Sequence, residues 1–344
     1  MSYDPRMISY KDVGVSIDAT DNVKKRMRKD IEQDDPRVLS GMNAFASLCD
    51  GTFPGFSHPI LVLKTEEPGS KQLLAFEHNR IESICQDLIH HLINDIAVMG
   101  ATPLYVQDAI ICGSLEQKVV TSIVRELART CKKHGCVLTG GETSVQPGVL
   151  PPKRYILTAN IVGVVEKKNI IDGSRIEEDD VLLGIASNGL HTNGYSLVRT
   201  LLQKNPKLLH SIIDDQPFLD IILRPHACYL PAIKKLFSHT DLHAAAHITG
   251  GGIPGNLPRI LPKNMSAHID LSSWDVPTIF NVIRREGDIS DEEMFRTFNL
   301  GIGLIIVIAK KAVKNFQKHF QAYKLPSFCI GTINQGNGLV IKKG

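Results

Sequence analysis

The chain reads Gly140-Gly141-Glu142-Thr143 in its first half and His247-Ile248-Thr249-Gly250-Gly251-Gly252 in its second. The first stretch follows a short apolar segment of strand type, and the second is a turn followed by a helix-like segment. Glycines let backbone N–H groups approach an anion closely, and a helix N-terminus adds a favourable partial charge. A carboxylate beside such a cradle suits a magnesium ion on a nucleotide phosphate. The two stretches therefore indicate an enzyme that handles ATP and a phosphorylated substrate.

On either side of these stretches, segments of strand and helix type alternate along the chain. The predicted strands are 60–64, 104–112, 136–138, 155–165, 181–186, 268–270, 301–308 and 327–333. The predicted helices are 20–30, 37–49, 81–99, 115–134, 195–199, 226–238, 277–286 and a segment after the triple glycine. We expect a loop at Thr65–Lys71 and an irregular insertion at 205–225. The alternation predicts an α+β (mixed α/β) architecture.

A change in composition around Lys167–Asn169 and Asp172-Gly173 divides the chain into two predicted domains, 1–168 and 169–344. Hydrophobic residues make up 43% and charged residues 22% of the chain, as in globular proteins. A net charge of +3 produces no overall field that favours nucleic acid. The basic run Lys24–Lys29 is interpreted as a solvated helix face or a mobile arm.

The cysteines and the hydropathy pattern bear on where the protein works. The seven cysteines are odd in number and form no C-x-x-C pair, which favours reduced, mostly buried thiols in a cytoplasmic protein. The N-terminus has no apolar leader and the chain has no long uncharged apolar run. We therefore expect no signal peptide and no membrane as a partner.

Two acids stand out as candidate metal ligands. Asp95 follows Asn94 near the end of the 81–99 helix, where an acid is unfavourable because the helix dipole is negative. It is either a metal ligand or a solvent-facing acid. Glu142 after two glycines is either a ligand or an N-capping acid in a turn.

The polar stretches of the second half have two interpretations as well. Thr249–Gly252 is an anion cradle or a loop that needs positive φ, since consecutive glycines are entropically costly. The segment Ser187–Gly194 offers hydroxyl, amide and imidazole donors, or is a plain strand–helix connection. The pair His90-His91 and the lone His247 lack metal-ligand spacing and are interpreted as structural histidines.

The order of these residues resembles the phosphoribosylformylglycinamidine cyclo-ligase family, the aminoimidazole ribonucleotide (AIR) synthetases. The resemblance runs from Ser9 to about Gly331, nearly the whole chain. Matching stretches are Ser9–Val15, Asn94-Asp95 with Gly100-Ala101 and Pro103, Gly140–Thr143, Gly163–Lys167, Ile171–Ser174, His191–Arg199, His247–Arg259 and Met294–Asn299 with Gly301 and Gly303.

The resemblance implies an ATP-dependent ring closure of formylglycinamidine ribonucleotide. In that family the formyl amide oxygen is thought to be phosphorylated by ATP, after which the amidine nitrogen attacks and phosphate leaves. An amide oxygen is a poor leaving group until it is phosphorylated, and magnesium offsets charge on the transferring phosphoryl group. The resemblance also implies a homodimer in which each N-terminal sheet contributes half of a shared barrel, followed by a C-terminal α/β domain.

The resemblance assigns roles to particular residues. Magnesium ligands are expected at Glu66, Asp95 and Glu142, and Lys71 is expected to meet the ATP phosphates, so that Lys71, Asp95 and Glu142 form the catalytic set. Residues expected to hold nucleotide and substrate phosphates are Thr65, Gly69, Ser70, Asn94, Gly140, Gly141, Thr143, His191, Asn193, Thr249, Gly250, Gly251 and Gly252.

The N-terminal half departs from the family pattern at several positions. The family's T-D-G-V-G-T-K loop is Thr65-Glu66-Glu67-Pro68-Gly69-Ser70-Lys71 here, so a glycine is lost and Pro68 removes a backbone N–H. Further departures are Thr20, Ala44, Ala46, Ala109 and Val145. Two alternatives to the cyclo-ligase follow: a related ATP-dependent phosphoryl transferase with another substrate, and a degenerate paralogue without turnover.

Overall fold

The structure is a computed structural model that describes residues 22–23, 25–27, 35–40 and 44–342. The stretch Ser9–Val15 and the departure at Thr20 lie outside these residues. The described chain divides into two compact units. The first unit comprises the residues up to Phe56, Leu63–Leu92 and Pro103–Val162, and the second comprises Ser57–Val62, Ile93–Thr102 and the residues from Gly163 onward.

Strands and helices alternate as the sequence predicts. The strands are β1 (Pro59–Glu66), β2 (Thr102–Cys112), β3 (Val137–Val145), β4 (Tyr155–Glu166), β5 (Val181–Ala186), β6 (Ile212–Ile213), β7 (Gln216–Pro217), β8 (Leu242–His247), β9 (Met265–Asp270), β10 (Ile302–Ile308), β11 (Ser327–Gln335) and β12 (Gly338–Lys342). The α-helices are α1 (Lys71–Glu77), α2 (Ile81–Ala97), α3 (Gln117–Lys133), α4 (Tyr195–Lys204), α5 (Phe218–Ile222), α6 (Leu230–Ile233), α7 (Gly252–Asn256), α8 (Thr278–Gly287), α9 (Asp291–Thr297) and α10 (Val313–Ala322). The 3₁₀ segments are Lys167–Asn169, Pro206–His210, Lys234–Leu236, Leu257–Ile260 and Lys310–Ala312.

A four-stranded sheet has the strand order β1-β4-β2-β3. Strands β2 and β3 run parallel, with Asp108 opposite Gly141. Helix α3 packs beside them through apolar residues at helical spacing, among them Val120, Ile123 and Leu127, all buried. This register positions the carboxylates of the first unit.

A six-stranded sheet forms the second unit, with the order β12-β9-β11-β5-β10-β8. Strand β10 is buried along its whole length and pairs antiparallel with β5 and β8. Its Ile-Gly-Leu-Ile-Ile-Val-Ile sequence suits such a site, because β-branched residues pack well on a buried pleated surface. Among the described helices, none is both long and apolar enough to pass through a lipid bilayer.

Two predicted helices are wrong. Residues 37–49 are not helical where described: Val38 and Cys49 form an antiparallel bridge, and the Asp35 carboxylate accepts the backbone N–H of Arg37 at 3.0 Å. Such local side-chain bonds compete with a helix. The predicted 226–238 helix is reduced to α6 and a 3₁₀ turn, because Pro231 is tolerated only in the first turn of a helix.

Other expectations need smaller corrections. The 20–30 helix is described only at 22–23 and 25–27, which are helical, and the exposed Lys25 and Arg26 belong to its basic run. The 205–225 insertion is built of short elements, including the β6–β7 hairpin and α5. The mixed α/β fold class is confirmed.

Candidate functional site

The predicted site residues fall into both units. Those in the first unit are Thr65, Glu66, Gly69, Ser70, Lys71, Gly140, Gly141, Glu142 and Thr143. Those in the second unit are Asn94, Asp95, His191, Asn193, Thr249, Gly250, Gly251 and Gly252. Each group forms a local arrangement of its own.

The glycine pair of the first unit lies inside strand β3, which excludes the alternative that Glu142 is an N-capping acid in a turn. A Cβ atom on Gly141 would lie 2.3 Å from Oδ1 and 2.4 Å from the carbonyl oxygen of Asp108. The neighbouring Gly140 has φ +153°, a conformation that side chains rarely adopt. Glycine is therefore required at Gly141 because β2 brings the Asp108 carboxylate against the backbone of β3.

Asp108 and Glu142 lie on the neighbouring strands β2 and β3, where Asp108 pairs with Gly141 and Glu142 with Ala109. Burial is the main reason that the pKa of Asp108 rises from 3.8 to about 7; a backbone hydrogen bond opposes the shift, and the nearby charge of Glu142 adds to it. Glu142 itself is exposed. The pair lies in a cavity of about 430 Å³ lined by Met27, Ala44, Phe45, Ala46, Ser47, Gln107, Asp108, Val124, Thr139, Gly140, Gly141, Glu142, Thr143 and Asn160. Two carboxyl groups that line one cavity offer oxygen ligands of the kind that a hard divalent cation prefers.

Sequence reasoning missed Asp108 as a site residue. Its signal was a single acid within the apolar strand Leu104–Cys112, and a buried unpaired carboxylate is costly in such a strand. The departures Ala44 and Ala46 line the same cavity.

The predicted Thr65–Lys71 loop is shorter than expected, because β1 continues through Glu66 and α1 begins at Lys71. The Thr65 hydroxyl donates to the Asn160 side chain. The Glu66 carboxylate lies 2.7 Å from Lys64 Nζ and 3.8 Å from His91 Nε2. Gly69, with φ +62°, and Ser70 turn the chain into the helix.

Lys71 is buried completely at the start of α1. Its Nζ lies 2.9 Å from Oδ1 and 2.8 Å from Oδ2 of Asp87, which is equally buried. Burial lowers the pKa of Lys71, and the Asp87 charge opposes that shift. The structure therefore places the Lys71 ammonium on an internal carboxylate and not among the residues that line the cavity beside Glu142.

The triple glycine of the second unit leads into the short helix α7. Asn256 holds this turn: its Nδ2 donates to the carbonyl oxygens of Thr249, Gly250 and Gly252 at 3.3, 3.1 and 2.8 Å. Its Oδ1 accepts from the Thr249 hydroxyl at 3.2 Å and from Arg259 at 3.3 Å. The Thr249 hydroxyl thus has a structural partner.

Two glycines of this turn have no substitute. Gly251 and Gly252 have φ of +92° and +58°. A Cβ atom on Gly252 would lie 2.2 Å from the carbonyl oxygen of Phe295, where nothing can move aside. The loop therefore needs positive φ and close approach together.

Asn193 lies beside the turn: its Oδ1 is 3.3 Å from the position that a Cβ atom on Gly250 would occupy. The Asn193 Nδ2 atom is buried and has no hydrogen-bond partner among the described residues. The next residue, Gly194, has φ +78° and fits against the Phe298 ring. A buried N–H donor beside a glycine turn is suited to an anion.

Asn94 and Asp95 belong to the second unit. Asn94 Nδ2 donates to the Ala227 carbonyl oxygen at 2.8 Å, and its Oδ1 accepts the backbone N–H of Tyr229 at 2.8 Å. Asp95 Oδ1 lies 2.7 Å from His247 Nδ1. Asn94 therefore holds the 227–229 segment, and Asp95 orients an imidazole.

His226 was also missed by sequence reasoning. Its Nε2 lies 2.9 Å from His247 Nε2, and its ring stacks on His191 with centroids 3.8 Å apart. A lone histidine after Pro225 carries no periodic signal. His191 itself has φ +61°, and non-glycine residues in that region are concentrated at functional sites.

Both halves of the chain match family models. Residues 58–165 match the AIR synthase related protein N-terminal domain, and residues 177–344 match the AIR synthase related protein C-terminal domain. The solved structure of thiamine-monophosphate kinase from Stenotrophomonas maltophilia K279a is 18% identical, covers 94% of this chain and 95% of its own, and superposes with a TM-score of 0.67. Hydrogenase maturation protein HypE in complex with ATP is 16% identical over 96% of this chain and 92% of its own, with a TM-score of 0.68.

These structures share the fold. A curated relative is much more similar in sequence: the phosphoribosylformylglycinamidine cyclo-ligase of Methylobacillus flagellatus is 40% identical over 314 residues, 91% of this chain and 90% of its own. The aligned region spans both units. The chain therefore belongs to the phosphoribosylformylglycinamidine cyclo-ligase family.

Proposed function

We propose that the chain catalyses the ATP-dependent closure of formylglycinamidine ribonucleotide to aminoimidazole ribonucleotide, with ADP and phosphate as the other products, in purine biosynthesis. The observation that supports this proposal most strongly is the 40% identity to a cyclo-ligase over 91% of this chain. The two alternatives, another phosphoryl transferase and a degenerate paralogue, are not favoured, because that identity includes both matched domains.

The second unit supplies the substrate phosphate site in this proposal. The turn Thr249–Gly252 brings backbone close to a ligand, and the buried Asn193 Nδ2 provides a donor that has no partner among the described residues. A phosphate oxygen on this donor would satisfy it. His191, beside Asn193, belongs to the same ligand-facing turn.

The first unit supplies the nucleotide and magnesium site. Glu142, Gly140, Gly141 and Thr143 line one cavity, and a solved relative in fold contains ATP. The carboxyl groups of Asp108 and Glu142 fit a hard divalent cation, because Mg²⁺ prefers oxygen ligands. Its charge would oppose both the burial cost and the smaller Glu142 contribution that raise the pKa of Asp108. Glu66, also in the first unit, is a further proposed ligand. Asp95, in the second unit, is proposed as a magnesium ligand on the resemblance alone, since its Oδ1 lies on His247 Nδ1. Bound magnesium would supply charge neutralisation for the transferring phosphoryl group.

In the structure as it stands, Lys71 is not available as a simple contact for the ATP phosphates. Its ammonium already pairs with Asp87 in a fully buried site. Contact with ATP phosphates would therefore need α1 or the 67–70 turn to rearrange, since breaking a buried ion pair leaves an uncompensated charge. Thr65, Gly69 and Ser70 lie in or next to that turn.

We also propose a cytoplasmic homodimer with domains 1–168 and 169–344. Strand β1 is at the edge of its sheet, with Leu61 at 52% and Leu63 at 70% exposure. An exposed apolar edge strand is a template for pairing with another chain, and a second copy would cover it. The proposed boundary falls in the 3₁₀ segment Lys167–Asn169, between the two matched domains.

The test is turnover by the purified chain with formylglycinamidine ribonucleotide, ATP and magnesium. We expect ADP and aminoimidazole ribonucleotide in equal amounts, and no ADP above background without the ribonucleotide. ATP hydrolysis that is independent of the ribonucleotide would favour another phosphoryl transferase. Absence of both ATP binding and turnover would favour the degenerate paralogue.

A further inference from the structure

Three buried histidines of the second unit converge from separate segments. His191 lies in the turn between β5 and α4, His226 precedes α6, and His247 is the last residue of β8. Their exposures are 1%, 1% and 5%. One ring nitrogen of each lies within 4.8 Å of the others.

The spacing of the nitrogens is close to that around a metal ion. The Nε2 atoms of His226 and His247 are 2.9 Å apart. Two nitrogens that each lie about 2.0–2.1 Å from a tetrahedral zinc ion are about 3.3 Å apart. A small outward rotation of these two rings would therefore admit an ion between them.

Asp95 orients the third imidazole from behind. Its Oδ1 lies 2.7 Å from His247 Nδ1. In the tautomer that donates from Nδ1 to this carboxylate, the Nε2 lone pair is turned toward His226. A carboxylate behind a histidine is the usual support of a metal-bound imidazole, because it fixes the tautomer and increases ligand basicity.

The surrounding backbone keeps the rings in place. A Cβ atom on Gly303 would lie 2.6 Å from His191 Cε1 and 2.0 Å from the Tyr229 hydroxyl. The Tyr229 hydroxyl donates to the Ala186 carbonyl oxygen at 2.9 Å. Strand β10 thus packs its bare backbone against the cluster, and His191 adopts φ +61° there.

We propose that His191, His226 and His247 bind one divalent transition-metal ion of the zinc class, with Asp95 as the supporting carboxylate. Imidazole ligands suit Zn²⁺ and Co²⁺, whereas Mg²⁺ takes oxygen ligands, so this ion is distinct from the nucleotide-bound magnesium. The rings of His191 and His226, now stacked at 21°, open on binding so that both nitrogens face the ion. The inference does not depend on the proposed reaction.

The experiment is titration of the chelator-treated full-length protein with Co²⁺, followed by visible absorption. We expect one Co²⁺ per chain, intense bands of a low-coordinate nitrogen site, displacement by Zn²⁺ and no displacement by excess Mg²⁺. His226→Ala and His226→Gln should each weaken binding at least about 100-fold while thermal melting shows a folded protein. Asp95→Asn should weaken it about 10–100-fold.

The matched control lies on the same strand. His243 Nδ1 is 2.7 Å from Asp180 Oδ2, as His247 is from Asp95, but His243 is in none of the potential metal clusters of the described residues. His243→Asn should bind Co²⁺ as the unmodified chain does. Equal losses in His243→Asn and His226→Ala would overturn the proposal, as would a weak six-coordinate spectrum or a thiolate-to-cobalt band. A protein that turns over normally but binds no Co²⁺ refutes the metal site and leaves the cyclo-ligase proposal intact.

Discussion

The two glycine-rich stretches look alike in sequence and do different work in the structure. Gly141 lies in a strand and makes room for the Asp108 carboxyl group, which lines one cavity with Glu142. Gly251 and Gly252 lie in a left-handed turn and make room for backbone, beside the buried Nδ2 donor of Asn193. In the proposed function, the first stretch holds a cation and the second an anion. In both stretches glycine allows another group to approach the backbone closely, and the identity of that group determines which ligand the site suits.

The largest expected effect concerns the acid pair of the first unit. Burial raises the pKa of Asp108 from 3.8 to about 7, so the folded protein keeps a proton that the unfolded chain has lost. Stability should therefore fall as pH rises from about 4 to about 7, by about 4 kcal/mol at most. Asp108→Asn should remove this slope, as measured by denaturant unfolding at several pH values.

The same unfolding measurement can be repeated with the Glu142→Gln variant and with added magnesium. Glu142→Gln should shift the slope to slightly lower pH, because its charge is the secondary cause of the raised pKa. Magnesium should shift it further down if the cation binds the pair. An unchanged slope in Asp108→Asn would mean that another group titrates and that the two stretches do not differ in the proposed way.

The next effect tests the turn of the second unit. Gly252→Ala adds a Cβ atom 2.2 Å from the Phe295 carbonyl oxygen at φ +58°. We expect about 2–4 kcal/mol of destabilisation, from left-handed strain together with overpacking, in chemical denaturation. Gly135→Ala is the matched control, since Gly135 has φ +77° with open space around it and should lose only about 1 kcal/mol. Equal losses would show that close approach is not what the turn requires.

Removing the exposed acid should affect turnover more than folding. Glu142→Gln deletes a proposed magnesium ligand that lines the cavity, so kcat/KM should fall at least about 100-fold, or about 2.7 kcal/mol. The effect should be partly rescued by high magnesium. Glu77→Gln, an exposed acid at the end of α1, is the control and should leave steady-state kinetics unchanged. Full activity of Glu142→Gln at low magnesium would remove the cation from this stretch.

The smallest effect concerns Thr249. Thr249→Val deletes a hydroxyl that donates to Asn256 Oδ1 at 3.2 Å, so stability should fall by about 1 kcal/mol. KM for the ribonucleotide should rise about tenfold, while KM for ATP stays near its original value. If both KM values are unchanged, the turn is structural and the anion site must lie elsewhere.

Many strands and helices could be predicted from the sequence, because buried elements leave a local pattern of apolar residues. Strand β5 and helix α3 were predicted nearly to the residue. The continuous apolar run of β5 favours a buried strand, and the helical spacing of apolar residues in α3 favours an amphipathic helix. Strand β8, Leu-His-Ala-Ala-Ala-His, was missed because it has weak strand propensity and no alternation. It becomes a strand through its pairing with β10.

The sequence by itself determined the family, the mixed α/β class, Glu142 and the glycines of both candidate sites, because each is carried by residue identity and order along the chain. Only the tertiary structure decided which side chains and backbone groups those residues contact. It buried Lys71 on Asp87, placed Asp108 against Gly141 and gathered His226 with His247. These partners are far apart in sequence, except for Lys71 and Asp87, and their side-chain contacts leave no local periodicity. The free energy of such contacts depends on burial and distance, which exist only once the chain has folded.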